Sequence, residues 1–346
     1  MSKMLANIQD PRLIALNSWL QAVLPTPHFE LTALRGDASF RRYFRAKLAD
    51  QSFIVMDAPP AKENIRPFVA IAKAFAKLGI SVPEIFASDF TQGFLLLTDL
   101  GDALYLDLLN EKNVDHLYEK ALAILPRLQI CSQVPEWQLP NFDQELILKE
   151  WQLFHQWHLS THWRVEPNTQ EQYLLTNTFE FLLQEILLQP RVCVHRDYHS
   201  RNLLSLNNGA VGVLDFQDAV WGPVAYDAVS LLRDCYIVWP REQVMQWVGN
   251  YYEQTYEHGL IKKISRDEFV RGFDLLGVQR HLKALGIFTR LNYLYGKPNY
   301  LNDVPRTLNY VLQVSEDHPE LKKFHQFLLQ NFPPSPAGIG QGEGPT

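Results

Sequence analysis

The chain has 346 residues, 47% of them hydrophobic and 20% charged, with a formal net charge of −6 and a pI near 6.0. That length suits two domains or one domain with two lobes, and an acidic balance without a Lys/Arg block argues against nucleic acid or an anionic membrane as the main partner. Cys131, Cys193 and Cys235 lie far apart with no Cys-x-x-Cys pair, which signals neither a disulfide framework nor a cysteine zinc site. Asp10, Pro11 and Arg12 interrupt the N-terminal apolar positions, and no later stretch approaches about 18 uncharged apolar residues, so a soluble, cytoplasmic protein is expected.

In chain order, 42–48 and 53–56 are short, aromatic or β-branched runs joined by Ala49 to Ser52, the composition of a hairpin. From Phe68, the residues Val69, Ile71, Ala72, Phe75 and Leu78 recur at helical spacing, with Gly79 and Pro83 as stop signals, and 94–97 is a further strand. Long helical patterns follow around 104–130, 143–159, 171–188, 226–237, 242–257 and 267–291, interrupted by two short apolar strands at 192–194 and 210–214. These patterns predict an α+β fold with two lobes. A sheet-plus-helix lobe spans 1–98, a mainly helical lobe spans 99–332, and a Pro/Gly-rich flexible tail spans 333–346.

Between the two short strands lies the loop His195-Arg196-Asp197-Tyr198-His199-Ser200-Arg201-Asn202, and the second strand ends at Asp215-Phe216-Gln217. This is the H-R-D-x-x-x-x-N plus D-F-x arrangement of kinase-like phosphotransferases. An Asp early in such a loop orients an incoming hydroxyl and accepts its proton, which makes Asp197 the candidate catalytic residue. Asn202 and Asp215 supply hard oxygens for Mg²⁺ on a nucleotide's phosphates. His195 is expected to hold the loop by hydrogen bonding. The pairs His195/His199 and His155/His158 have metal-ligand spacing, but no third ligand stands in register.

Asp197-Tyr198-His199-Ser200-Arg201-Asn202 resembles the D-x-H-x-x-N loop of the aminoglycoside phosphotransferase and choline kinase superfamily more than that of protein kinases. Segments 36–45, 55–60, 215–223, 226–234 and 279–288 resemble one bacterial branch, the anomeric kinases of cell-wall amino sugars, and the resemblance runs from about residue 10 to about 330. It implies a two-lobed, protein-kinase-like α+β fold with nucleotide bound by the N-terminal lobe and catalysis and substrate binding in the C-terminal lobe. It also implies ATP-dependent phosphorylation of the anomeric hydroxyl of N-acetylmuramate or N-acetylglucosamine, giving a sugar 1-phosphate for peptidoglycan recycling, with ATP and Mg²⁺ as cofactors.

The general kinase pattern is broken in three places. The strand that should carry a phosphate-gripping lysine reads Phe53-Ile54-Val55-Met56, and among the nearby basic residues Arg41, Arg42, Arg45, Lys47 and Lys62 the first choice is Arg42. The loop from Gly36 to Phe40 has one glycine, leaving Ser39 as a candidate phosphate contact, and Asp215-Phe216 is followed by Gln217 where D-F-G has glycine. Adenine is expected at the junction of the lobes, against the backbone of Asp99 and Leu100.

Substrate recognition falls to the helical lobe. Glu150, Arg233, Arg280 and His281, with Lys283, place charge in otherwise apolar helices, where it either meets a substrate carboxylate or pairs internally. Trp151, Phe154, Trp157 and Trp163, with His155, His158 and His162, offer either a sugar-stacking surface or ordinary core aromatics. A kinase for choline, an aminoglycoside or another metabolite alcohol remains an alternative, as does a nucleotide-binding scaffold without activity. The preferred sugar and the oligomeric state are not fixed by the sequence.

Overall fold

The protein is described by a computed structural model covering residues 10–34 and 40–332. Ser39 and the Pro/Gly-rich segment 333–346 lie outside the described residues.

The first lobe begins with helix α1 (Pro11–Val23), started by Asp10, whose side chain accepts from the Arg12 and Leu13 amides. Five strands follow: β1 (Glu30–Ala33), β2 (Arg42–Lys47), β3 (Ser52–Asp57), β4 (Ile85–Asp89) and β5 (Phe94–Thr98). They form one antiparallel sheet in the order β1-β2-β3-β5-β4. Helix α2 (Arg66–Lys77) sits between β3 and β4 and stops at Gly79, whose φ of 70° favours glycine. Strand alternation divides the sheet cleanly. Phe44, Ala46, Phe53, Val55, Phe94 and Leu96 pack with Leu16 and Leu20 of α1, whereas Met56, Leu95 and Leu97 join Phe68, Ile71 and Phe75 of α2 in the main core.

Strands β1 and β4 were not signalled by the sequence. β1 is a four-residue edge strand with three exposed positions, and β4 alternates half-buried and exposed residues around a bulge, so neither carries an apolar run.

The helical lobe contains α3 (Tyr105–Leu108), α4 (Val114–Leu122), α5 (Leu125–Gln129), α6 (Gln144–Leu153), α7 (Thr169–Leu187), α8 (Tyr226–Leu232), α9 (Arg241–Glu257), α10 (Arg266–Tyr295), α11 (Val304–Asp317) and α12 (Lys322–Asn331). The pattern at 104–130 is therefore three short helices. The Asn113 side chain accepts from the Asn110 amide in the turn between the first two, and Pro126 begins the third. The pattern at 143–159 continues beyond α6 as a π-helical segment, Phe154–His162, whose Ser160 and Thr161 hydroxyls donate five residues back to the His155 and Gln156 carbonyls.

The 30-residue α10 is the axis of the lobe. It packs against α6, α7, α8, α11 and the π-helical segment, and a Ser265/Glu268 capping box fixes its start. Two small antiparallel pairs, β6 (Arg191–Val194) with β9 (Val220–Pro223) and β7 (Leu203–Ser205) with β8 (Val211–Val213), carry the polar loops singled out in the sequence.

Candidate active site

The sheet and the helical lobe face each other across a cleft of about 510 Å³. Its walls bring together Asp197, Asn202 and Asp215 from the helical lobe with Arg41, Tyr43, Arg45 and Ile54 from the sheet, and with Asp99 and Leu100 where the lobes join.

The loop after β6 is built from the inside out. The buried His195 ring donates from Nε2 to the Leu214 carbonyl at 2.9 Å, while its Nδ1 accepts from the Asp197 amide at 3.3 Å. One imidazole thereby ties the loop to the strand end that presents Asp215. Asp227, at the start of α8, accepts from the His195 and Arg196 amides at 2.8 and 3.0 Å. Asp234, just beyond the same helix, accepts from the Ser200 amide and hydroxyl. Asn202 turns back, its amide donating to the Asp197 carbonyl at 2.9 Å. With these anchors, Arg196 and Asp215 are held at φ of 76° and 61°, values unusual for residues with a side chain.

Electrostatics separates the two aspartates. Burial alone would raise the Asp197 carboxyl, but Lys283, His199, Arg196 and Arg280 outweigh it and hold the group at about 2. Asp215 opens onto the cleft yet is ringed by protein, and loss of solvation together with the Asp197 charge pushes it up to about 6. Asp197 is thus a fully ionised acceptor at neutral pH, while Asp215 is a carboxylate short of positive charge. An amide oxygen and a carboxylate facing the same space suit Mg²⁺, which takes a few protein oxygens and completes its shell with phosphates and water. Among the described residues no three His, Cys, Asp or Glu side chains are grouped to hold a metal.

Arg42 requires correction. β2 alternates, so Arg42 lies on the face away from the cleft, where it pairs with Asp57 and Asp10. Arg41 and Arg45 occupy the cleft side, and Arg45 is bound to Asp99 and Asp102.

The four substrate candidates also separate. Glu150 is buried and bound to Arg196 at 2.6 Å, Lys283 at 3.1 Å and Gln279 at 2.7 Å, so it braces the catalytic loop from behind. Arg233 is buried in an ion pair with Asp274, and His281 donates to the Arg233 carbonyl and stacks on Tyr310. Neither lines the cleft. For all three, a charge or polar group inside an apolar helix has found an internal partner. Arg280 is different. It lines a side chamber of about 110 Å³ with Asp197, His199, Tyr236, Lys283 and Phe288. Its guanidinium donates to the Ser230 hydroxyl at 2.6 Å, and among the described residues no carboxylate lies within 4 Å of it.

The aromatic stretch from Trp151 to Trp163 does not reach the cleft either. Trp151 packs on Phe179 and Phe324, and the Trp163 indole donates to His158 Nε2. Aromatic lining on the helical-lobe side of the cleft includes Tyr236, Phe288 and Tyr300, none of which the sequence reading proposed as a site residue. A signal existed: Arg280, Lys283, Ala284, Ile287, Phe288 and Leu291 fall at i, i+3, i+4, i+7, i+8 and i+11, one face of α10.

Comparison with known proteins agrees with this geometry. An N-acetylmuramate/N-acetylglucosamine kinase of Pseudomonas putida is 41% identical over 93% of this chain and 97% of its own. A protein of the same name from Neisseria meningitidis serogroup B is 41% identical over 92% and 96%. The choline kinase LicA from Streptococcus pneumoniae has a similar fold, with a TM-score of 0.61 at 13% identity over 87% of this chain and 98% of that one. ADP-bound aminoglycoside phosphotransferase APH(2'')-Ib gives a TM-score of 0.53 at 16% identity, covering 86% and 97%. Residues 30–260, which span both walls of the cleft, match the model of the phosphotransferase enzyme family, and the chain belongs to that family.

Proposed function

We propose that this protein is a small-molecule kinase that transfers the γ-phosphoryl group of ATP to the anomeric hydroxyl of N-acetylmuramate and N-acetylglucosamine, producing the sugar 1-phosphate. The observation that carries this reading is the 41% identity to kinases of that name across both lobes, over 93% of the chain.

Asp197 accepts a hydrogen bond from the anomeric hydroxyl and takes its proton as the oxygen-to-phosphorus bond forms and the bond from phosphorus to the ADP oxygen breaks. An anomeric hydroxyl is more acidic than an ordinary alcohol, which suits a carboxylate held at about 2. Asn202 and Asp215 would hold Mg²⁺, which when bound neutralises charge on the phosphates. Adenine would meet the backbone of Asp99 and Leu100, with Ile54 and Leu204 on the walls.

The side chamber behind Asp197 suits the rest of the sugar. A buried guanidinium without a carboxylate partner is costly, and an acceptor carboxylate near the reacting hydroxyl would complete it. Arg280 is therefore assigned to the lactyl carboxylate of N-acetylmuramate. Choline fits less well, because the Tyr236 ring already holds the Arg201 guanidinium at 3.6 Å on one face, in the place a quaternary ammonium would take.

Coupled ATP turnover with N-acetylmuramate, N-acetylglucosamine, glucose, choline and an aminoglycoside tests the assignment. Turnover of the two N-acetylated sugars is expected, and activity confined to choline or the aminoglycoside would refute it.

A further inference from the structure

The missing strand lysine leaves this cleft without the cation that kinase-like sites direct at the nucleotide phosphates, and the register of the sheet shows where a substitute stands. Within β3, Ile54 lines the cleft, whereas Met56, two residues on, is fully buried in the core beneath α2. Directly across from Met56 in β2 is Tyr43. Two residues before Tyr43, hence on the same side, Arg41 enters the cleft. Its guanidinium lies 3.2 Å from Glu63, in the segment just ahead of α2, 3.5 Å from Asp215 and 3.9 Å from Asp218. A cation from the sheet, tethered to a glutamate beside α2, is thus present one strand over from its expected place.

We propose that Arg41 is the phosphate-holding cation of this site, and that Asp215 is its partner only until a metal-bound nucleotide arrives. The inference rests on the nucleotide-binding part of the functional reading and is independent of which acceptor is used. Arg41 and Mg²⁺ compete for one carboxylate, because both seek the Asp215 oxygens. When Asp215 turns to the metal, the guanidinium keeps Glu63 as its tether and gains the phosphate oxygens, for which its planar fork is well matched. Glu63 fixes the stem of this exchange, so the positive charge moves a short way within the cleft and does not leave it.

Two opposite-signed affinities test this without any sugar. Calorimetry of ADP binding in the absence of metal should show Arg41→Ala weakened roughly 10- to 100-fold, the span of a lost charged hydrogen bond, with Arg41→Lys recovering most of the affinity. Titration of the nucleotide-free protein with Mn²⁺, followed by electron paramagnetic resonance, should show the reverse. Removing the competing cation tightens Mn²⁺ binding at Asp215 roughly 2- to 10-fold. Arg41→Gln reads the same two affinities should the alanine variant fail to fold. Unchanged ADP affinity would overturn the proposal, as would joint loss of both affinities, which marks a residue that only shapes the cleft.

Discussion

At Asp197 the local field is set by neighbours on two elements: Lys283 and Arg280 from α10, and His199 and Arg196 in its own loop, with Glu150 of α6 bridging Lys283 to Arg196. Asp197→Asn removes the proton acceptor while leaving the nucleotide wall intact, so kcat should fall by about 10²–10⁴-fold with ADP affinity nearly unchanged, measured by steady-state kinetics and calorimetry. Near-normal turnover would take Asp197 out of the mechanism. Arg280→Ala should raise KM for N-acetylmuramate by roughly 10- to 100-fold and disturb N-acetylglucosamine much less, since only the former carries a carboxylate. Equal losses for both sugars would deny Arg280 that role. That Asp197, Asn202 and Asp215 would converge on one cleft was legible, because their spacing is fixed by local chemistry within one loop and the following strand. Arg42 was not separable from Arg41, because a one-residue step in a strand reverses the face and only the paired register decides which face meets the cleft.

Helix α10 joins specificity to stability. One of its faces supplies Arg280, Lys283, Ile287 and Phe288 to the cleft, and Gly286 lies against the start of the π-helical segment. A methyl group at Gly286 would fall 2.4 Å from the Leu153 carbonyl carbon and 2.6 Å from the Phe154 nitrogen, both backbone atoms that cannot swing aside. Gly286→Ala should therefore destabilise the protein by about 1–3 kcal/mol, the usual range for overpacking, read from urea unfolding. A midpoint equal to wild type would show that the two helices can separate freely. The helical pattern of α10 was visible in the sequence around 267–291, but the close approach at Gly286 was not, because glycine in a helix announces neither its neighbour nor its distance. The π-helical segment escaped for a similar reason: its i to i+5 bonding replaces an α-helix of ordinary composition. Asp227 and Asp234 belong to α8 and its exit, and their role as acceptors for the catalytic loop appears only when the helix is packed under that loop.

Across the whole molecule, a single core runs from α2 through the catalytic strands to α10, with Phe216 packed against Phe68 and Phe75 at ring separations of 4.8 and 5.9 Å. The residue after Asp215 thus anchors to the sheet lobe the strand end that presents this carboxylate. Buried histidines shape the pH response. Burial holds His158 and His281 at about 3 and also lowers His195 and His199, so the unfolded chain takes up those protons near 6.5 while the native one does not. Stability from these groups is present above about 6.5 and lost as the pH falls. Asp215 and Asp227, pushed up to about 6 by burial, act in the opposite sense below that value, but they are outnumbered. Calorimetric Tm should decrease from pH 7 to pH 5, and a rise over that interval would contradict this balance. Among the described residues no helix is long and apolar enough to cross a membrane. The two-lobed plan was legible because a change from strand-like to helical periodicity marks the lobe junction, whereas α1, α11 and α12 were not picked out. The most direct measurement of the central claim is ³¹P–¹H correlation NMR of the product formed from ATP and N-acetylglucosamine or N-acetylmuramate. Phosphorus coupled to the anomeric proton is the predicted result, and a phosphate coupled to the C6 protons, or no sugar phosphate at all, would contradict it.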